Sequence, residues 1–264
     1  MRKKLVIAAI LGTVSLPAAA QTNPSADPLA TRPGWQAGGQ ISGYRYEEPN
    51  GGAKLSGARG GPAGVYTYDH AGQWFFRADG RYSYGKLRYE GSGTKDSVPD
   101  SILEIRGVFG KDFFLGGGVS LSPYAGLGHR FLYNDLRGTT SSGTAGYRRY
   151  SNYLYAPLGL TSRFSAGDQW VIAATVEYDY FIRGRQVSLL TDANSGYGDA
   201  YNTQRRGRGY RLSVMAEKDH WAFGPWMHYW SIEDSDVVWI APGVGGMEPK
   251  NWTREAGVEV RYRF

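Results

Sequence analysis

Few residues of this chain could do acid–base or nucleophilic chemistry. There are four histidines, His70, His129, His220 and His228, and no cysteine. Two of them follow an aspartate, in Asp69-His70 and Asp219-His220. A carboxylate beside an imidazole can orient it as a base for water or serine, the arrangement hydrolases use. Both dipeptides fall at short polar breaks between alternating segments, where Asp serves turn formation. His129 shares parity with Leu127 and Phe131, and His228 with Trp226 and Trp230. No serine stands at a spacing that pairs with either. The absence of Cys excludes thiolate nucleophiles, zinc-thiolate sites and disulfide scaffolds. Gly116-Gly117-Gly118 lacks the helix and Lys of a phosphate loop. Glu233, Asp234 and Asp236 form an acidic cluster short of a calcium ligand set. The sequence therefore assigns no catalytic residue, metal site or cofactor, and the chain reads as a non-enzyme.

The elements around these residues are more informative. From Trp35 onward the dominant hydrophobic period is two, the strand period. In the last segment Trp252, Ala256, Val258, Val260, Tyr262 and Phe264 share one parity, and Thr253, Glu255, Gly257, Glu259, Arg261 and Arg263 the other. Between 170 and 185, Trp170, Ile172, Ala174, Val176, Tyr178, Tyr180 and Ile182 oppose Thr175, Glu177, Asp179, Arg183 and Arg185. A soluble sandwich would bury the apolar face. Three features favour a membrane barrel instead. The alternating segments outrun the about 5 or 6 residues of an average soluble strand. Aromatics gather toward the ends of the apolar faces, as membrane girdles do. The polar faces set Arg opposite Asp and Glu, which suits a closed lumen. No stretch after residue 20 is apolar for the 18 or so residues that a membrane helix needs.

The start of the chain reads as an export signal. Met1-Arg2-Lys3-Lys4 is basic, Leu5–Leu16 is apolar, and Ala18 and Ala20 fit a peptidase site before Gln21. Removal of residues 1–20 would leave 27 basic against 24 acidic residues. Much of the formal charge of +6 thus sits in a discarded segment, and nucleic acid is not an expected partner. Residues 21–34 carry Pro24, Pro28 and Pro33 and read as a flexible lead-in. Residues 35–264 form the barrel domain.

Ten strand segments are expected, near 35–47, 61–70, 73–90, 101–111, 118–135, 150–164, 169–187, 207–218, 221–232 and 251–264. An even count suits a single-chain bacterial barrel. The connections alternate. Ala71-Gly72, Asp112–Gly117, Ser165–Asp168 and Asp219-His220 are short; Glu48–Gly60, Gly91–Asp100, Leu136–Arg149, Ser188–Arg206 and Glu233–Lys250 are long. Short turns belong on the periplasmic side and long loops outside. Pro123 and Pro157 lie within strands and are expected at bulges. Past Gly85 the alternation slips, because Leu87 and Tyr89 take the polar parity. A bulge or emergence above the membrane explains this. The fold expected is all-β, a transmembrane antiparallel up-and-down barrel of about ten strands.

Val258, Val260, Tyr262 and the final Phe264 resemble the C-terminal signature of bacterial outer-membrane proteins, which the barrel assembly machinery reads. The mature chain resembles the small outer-membrane β-barrel superfamily, in segments such as Leu121-Ser122-Pro123-Tyr124-Ala125-Gly126-Leu127-Gly128 and Tyr229-Trp230-Ser231-Ile232-Glu233-Asp234-Ser235. The resemblance implies a fold and an outer-membrane location. Because that superfamily mixes adhesins, channels and enzymes, it transfers no function. Omptin-type proteases share the strand number but need Asp and Asp/His pairs at the extracellular rim. Here both Asp-His pairs fall on the periplasmic side.

By parity, Arg77, Asp79, Arg81, Glu104, Arg106, Arg130, Arg163, Glu177, Asp179, Arg183, Arg185, Arg211, Glu217, Glu255, Glu259, Arg261 and Arg263 point inward, ten basic and seven acidic groups. Charges enclosed in so narrow a tube must pair, so a cross-strand network that plugs the lumen is expected. The apolar stretch Val237, Val238, Trp239 and Ile240 is the candidate contact surface in the last loop. Tyr147-Arg148-Arg149 and Arg205-Arg206 are basic pairs suited to anionic glycolipid headgroups. The expectation is a monomeric barrel, in contact with outer-membrane lipids and surface glycolipid, with a structural or interaction role. A narrow passive channel is the first alternative and a lipid or peptide hydrolase the second.

Overall fold

A computed structural model describes residues 27–49, 52–70 and 73–264. The export signal, with Ala18, Ala20 and Gln21, and the Ala71-Gly72 turn lie outside the described residues.

The described chain is strand almost throughout. In chain order the strands are β1 (Gly34–Glu47), β2 (Lys54–His70), β3 (Trp74–Gly91), β4 (Gly93–Lys111), β5 (Phe113–Gly116), β6 (Val119–Thr139), β7 (Ala145–Ser165), β8 (Val171–Leu189), β9 (Ala200–Gln204), β10 (Gly207–Lys218), β11 (Trp221–Ile232), β12 (Val238–Ala241), β13 (Val244–Gly246) and β14 (Asn251–Arg263). Ten of them close a ring. Its order is β1, β2, β3, β4, β6, β7, β8, β10, β11, β14, and β14 pairs back onto β1. Every neighbouring pair is antiparallel. β9 continues β10 in the same register along β8, β5 is a short flap on β6, and β12 and β13 form a separate hairpin. Closure leaves no barrel edge unpaired, so every backbone polar group at membrane depth can be met by a neighbouring strand.

The outer wall follows the period-two reading. Ile41, Phe76, Ile105, Leu127, Leu158, Val176, Leu212, Phe223, Val258 and Val260 all face outward and are exposed. Trp35, Trp74, Phe109, Trp221, Tyr262 and Phe264 ring the end where the chain termini lie. Tyr82, Tyr84, Tyr178, Tyr180 and Tyr210 stand exposed nearer the other end. Two aromatic bands flanking an apolar belt are the outer-membrane pattern.

Several boundaries differ from the sequence reading. The connections expected at Glu48–Gly60, Gly91–Asp100 and Leu136–Arg149 are mostly strand, because β2 begins at Lys54, β4 at Gly93 and β7 at Ala145. The ring therefore continues well above its apolar belt. There the outward positions are polar and glycine-rich, and no lipid-facing alternation announces a strand. Pro123 and Pro157 do not sit at bulges. Pro123 falls where β6 passes from β4 to β5, and Pro157 where the β6–β7 pairing is interrupted, with register unchanged in both places. At such breaks a missing N–H costs no ladder bond. Nor does β3 bulge at Gly85. Leu87 and Tyr89 keep the inward parity of Arg81 and are buried, so emergence above the membrane explains the slip.

The lead-in read as flexible is seated where it is described. Thr31 donates to Asp112 from its backbone N (2.7 Å) and its Oγ1 (2.8 Å). Ser120 Oγ donates to the Leu29 carbonyl at 2.7 Å, and Leu29 is buried. Arg32 Nη1 reaches the Asp219 carbonyl at 3.2 Å. These contacts hold the segment across the terminal-end mouth of the ring.

Candidate functional site: a lumen crossed by charge

Halfway along the barrel, strands from opposite walls exchange ion pairs across the lumen. Arg106 on β4 forks onto Asp79 of β3, at 2.7 and 3.1 Å, and its other arm reaches Glu177 on β8. Arg211 on β10 contacts Glu177 at 2.9 Å and Asp179 at 3.0 Å through Nε, and bridges to Glu104 of β4. Arg81 on β3 joins Glu104 to Glu255 of β14, at 2.9 Å each. Ser42 on β1 closes this chain with a 2.9 Å bond to Glu255. One connected network thus links β1, β3, β4, β8, β10 and β14. The guanidinium fork suits this role because it can serve two carboxylates at fixed angles.

Two tyrosines complete the carboxylates. Tyr124 Oη donates to Glu177 at 2.6 Å and Tyr155 Oη to Glu104 at 2.7 Å. Both rings lie flat on the wall because a glycine faces each. A Cβ at Gly159 would stand 2.2 Å from the Tyr124 ring, and one at Gly128 2.3 Å from that of Tyr155. Even alanine at either position would push the ring off the wall and pull its hydroxyl from the carboxylate.

One layer closer to the open mouth, Arg59 pairs with Asp100, which also accepts from Asn134 Nδ2 at 3.1 Å. Arg59 lies over the Tyr44 ring and Arg130 over Trp230. Counting both layers, Arg59, Arg77, Arg81, Arg106, Arg130 and Arg211 face Asp79, Asp100, Glu104, Glu177, Asp179 and Glu255, six cations and six anions inside the wall. Balanced charge in a confined site is what limits the desolvation penalty. Arg163, Glu217, Glu259, Arg261 and Arg263 line the terminal-end vestibule, a cavity of about 170 Å³ that reaches up to the crossed pairs.

Two of the seventeen residues read as inward lie elsewhere. Arg183 and Arg185 are exposed on the outer wall. Pairing with β7 runs Leu154↔Arg183 and then Tyr155↔Phe181, so Ile182 is an extra residue in β8. This bulge reverses the parity beyond it. Conversely, Arg59 and Asp100 were missed because they fall in stretches read as loops. The signal was present, since Arg59 keeps the parity of Ala63 and Val65, and Asp100 that of Ile102 and Glu104.

Above the charged layers the lumen fills with apolar side chains. Tyr44, Tyr46, Leu55, Leu87, Tyr89, Val98, Ile102 and Leu136 form one cluster, and Tyr153, Tyr155, Phe181, Trp230 and Ile232 another. Beyond them a mouth cavity of about 520 Å³ opens, lined by Glu48, Tyr147, Arg149, Asn202, Ile240 and Glu248 among others. There Arg149 pairs with Glu248 and Glu48. Burial pushes the Glu248 carboxyl up, against the pull of Arg149.

Val237 and Trp239 are highly exposed on the β12–β13 hairpin, while Ile240 turns toward the mouth cavity and its carbonyl accepts from Gly198 N. The hairpin thus neither extends β11 nor pairs with the barrel. Asp236 and Asp234 accept from the backbone N of Thr203 and Lys250, both at 2.6 Å, and Glu233 pairs with Lys250. Their oxygens serve the loop, and among the described residues no metal-binding group occurs. His70 and His220 lie at the terminal end, His129 on the outer wall, and His228 in the lumen 3.5 Å from Arg211.

No protein-family model matches the chain, and no curated protein matches it in sequence. Solved structures match its shape. The outer membrane protease OmpT from Escherichia coli superposes with a TM-score of 0.58, at 11% identity, over 87% of this chain and 96% of that one. The chain has the fold of the small outer-membrane β-barrels. The beta domain of the Bordetella autotransporter BrkA aligns at 12% identity over 88% of this chain and all of that one, with a TM-score of 0.44. Ail, the attachment invasion locus protein of Yersinia pestis, aligns at 13% identity over 88% of this chain and 100% of that one, with a TM-score of 0.33. At such identities the likeness of this outer-membrane-type barrel to its neighbours is one of fold.

Proposed function

We propose that the protein is an exported, monomeric, integral outer-membrane barrel whose lumen is closed and whose work is done by its outer surface and loops. Residues 1–20 are its signal, cleaved after Ala20. Val258, Val260, Tyr262 and Phe264, all outward-facing, form the signature read during assembly. Its role is structural or adhesive. The observation that carries this reading is obstruction at three heights: the segment around Leu29–Arg32, the crossed ion pairs, and the apolar clusters above them. Ten strands leave only a little more room than the about eight whose interior side chains just fill. An omptin-like activity has no support at the open mouth, because the four histidines stand elsewhere.

Planar-bilayer recording of the refolded protein tests the closed reading. Wild type should give no stable conductance on the scale of a general porin; such a conductance would overturn the reading in favour of a passive channel. Replacing Glu177 and Glu259 by Gln should free Arg106, Arg211 and Arg261 and raise leak currents. The lipid-facing Val258→Leu should not.

A further inference from the structure

The Ile182 bulge has a chemical consequence on the outer wall. Arg183 and Arg185 leave the lumen and join Arg205, Arg206 and Arg208, all exposed, on the sector formed by β8, β9 and β10. Arg183 and Arg205 each stand one residue past the Gly184↔Gln204 pair, so they face one another across neighbouring strands. Arg208 is paired with Tyr180. Like charges placed directly opposite repel, and among the described residues none of these five arginines has an ion-pair partner. Across the barrel three cations at similar height are matched, Arg45 by Glu47 at 3.0 Å, Lys54 by Glu47 at 3.6 Å, and Arg88 by Glu90 at 3.1 Å and Asp96 at 2.7 Å, and the unmatched Lys86 and Arg254 stand on separate strands and form no cluster of five. Just below the unmatched patch stand Tyr178, Tyr180 and Tyr210 of the aromatic band, which sets the patch at headgroup level.

A second feature of the outer wall runs into the same patch. The cross-strand row Gly64↔Gly80↔Ile105↔His129↔Leu154↔Arg183 passes continuously from β2 to β8. Along it lies an open apolar groove of about 640 Å³, floored by Gly64, Gly80 and Gly107 and walled by Trp35, Leu127 and Leu154. At the ordinary strand spacing of about 4.8 Å, the five steps of the row cover about 24 Å, enough for an extended acyl chain. Strands in such barrels tilt, so the row climbs from the terminal-end half of the apolar belt to the arginines.

We propose that the groove and the patch together form a binding site for one phosphorylated glycolipid of the outer leaflet. An acyl chain lies along the Gly64–Leu154 row, and phosphate is held by Arg183, Arg185, Arg205 and Arg208. Guanidinium forks suit phosphate oxygens, Asp236 at the patch edge is engaged by the Thr203 backbone N at 2.6 Å rather than by an arginine, and the bulge delivers two of the forks.

This inference rests on the outer-membrane location proposed above, which cell fractionation tests separately. The site itself is tested with the refolded full chain in a nonionic detergent. The probes are diphosphorylated lipid A, the same lipid without its phosphates, and inorganic phosphate, and retention is read by native mass spectrometry. Wild type should retain the diphosphorylated lipid. Arg183→Gln, Arg185→Gln and Arg208→Gln combined should weaken retention by at least ~10-fold, since each surface arginine contributes about 5-fold near anionic lipid. Gly80→Leu, whose Cβ would meet only ordinary contacts near 3.6 Å, should fill the groove and weaken it about 3-fold. The matched triple Arg45→Gln, Lys54→Gln and Arg88→Gln should retain the lipid as wild type does. Heat-modifiable migration confirms that each variant is folded; should the patch triple fail that check, Arg183→Gln alone carries the test. Equal retention of the dephosphorylated lipid, equal loss in the control triple, or displacement of the lipid by millimolar phosphate would each overturn the proposal. Binding that survives in vitro while the protein fractionates away from the outer membrane would overturn the location and leave the site standing.

Discussion

The middle of the barrel and its upper third are built on opposite rules. At mid-height the wall is inside-out, with Ile105, Val176, Leu212 and Val258 facing lipid and arginines and carboxylates facing one another within. Near the mouth the same strands are built like a soluble protein. Leu87, Val98 and Ile102 are fully buried, while Lys86, Arg88 and Arg254 face out. No parity flip on β3 separates the two zones; the same inward positions change from Arg81 to Leu87 within three repeats of the pleat. What changes is the medium outside. Lipid solvates apolar groups and water does not, so the residue type on each face reports height above the membrane. Mid-height stability is therefore electrostatic and directional, and upper stability is the non-directional burial of apolar area.

The sharpest way to break this comparison is Arg211→Met. The change leaves Glu104, Glu177 and Asp179 without a shared cation. Losing one partner of a buried pair costs about 3–5 kcal/mol, so refolding yield into lipid should collapse. A loss below about 1 kcal/mol in denaturant titration would show that the mid-section tolerates unpaired charge. Leu87→Ala comes next. Its loss of buried methyl groups predicts about 2–3 kcal/mol, confined to the upper zone. Limited proteolysis should then cut between β2 and β4 while the crossed pairs still protect the middle; uniform loss of protection would make the two zones one cooperative unit.

The smallest effect belongs to the exposed rim. Asp135 accepts from Arg137 at 2.6 and 2.9 Å, and this holds its carboxyl down at about 2. A depressed carboxyl contributes stability above its unfolded value, near 3.9, and loses it as pH falls through about 2. Asp135→Asn should cost no more than about 1 kcal/mol at neutral pH, given the solvent exposure of its partner Arg137. An NMR titration of the Asp135 carboxyl with a midpoint near 4 would remove even that.

The sequence by itself determined the membrane-facing wall, the ten-strand count and the end at which each turn lies. Lipid is a uniform medium, so an outward position needs no partner, and Val258 or Phe223 declares its direction through parity alone. The inward reading of Arg106, Glu177 and Arg211 came from the same alternation, but not who pairs with whom, because Arg81 meets Glu255 only once β14 closes against β1. The upper strands were hidden because their outward faces are polar, and Arg59 and Asp100 were hidden with them. Arg183 and Arg185 went the other way. A single extra residue, Ile182, reverses every side chain beyond it, and where a strand takes up an extra residue is set by the register of β7 against β8. Register belongs to the pair of strands, and only the tertiary structure holds both.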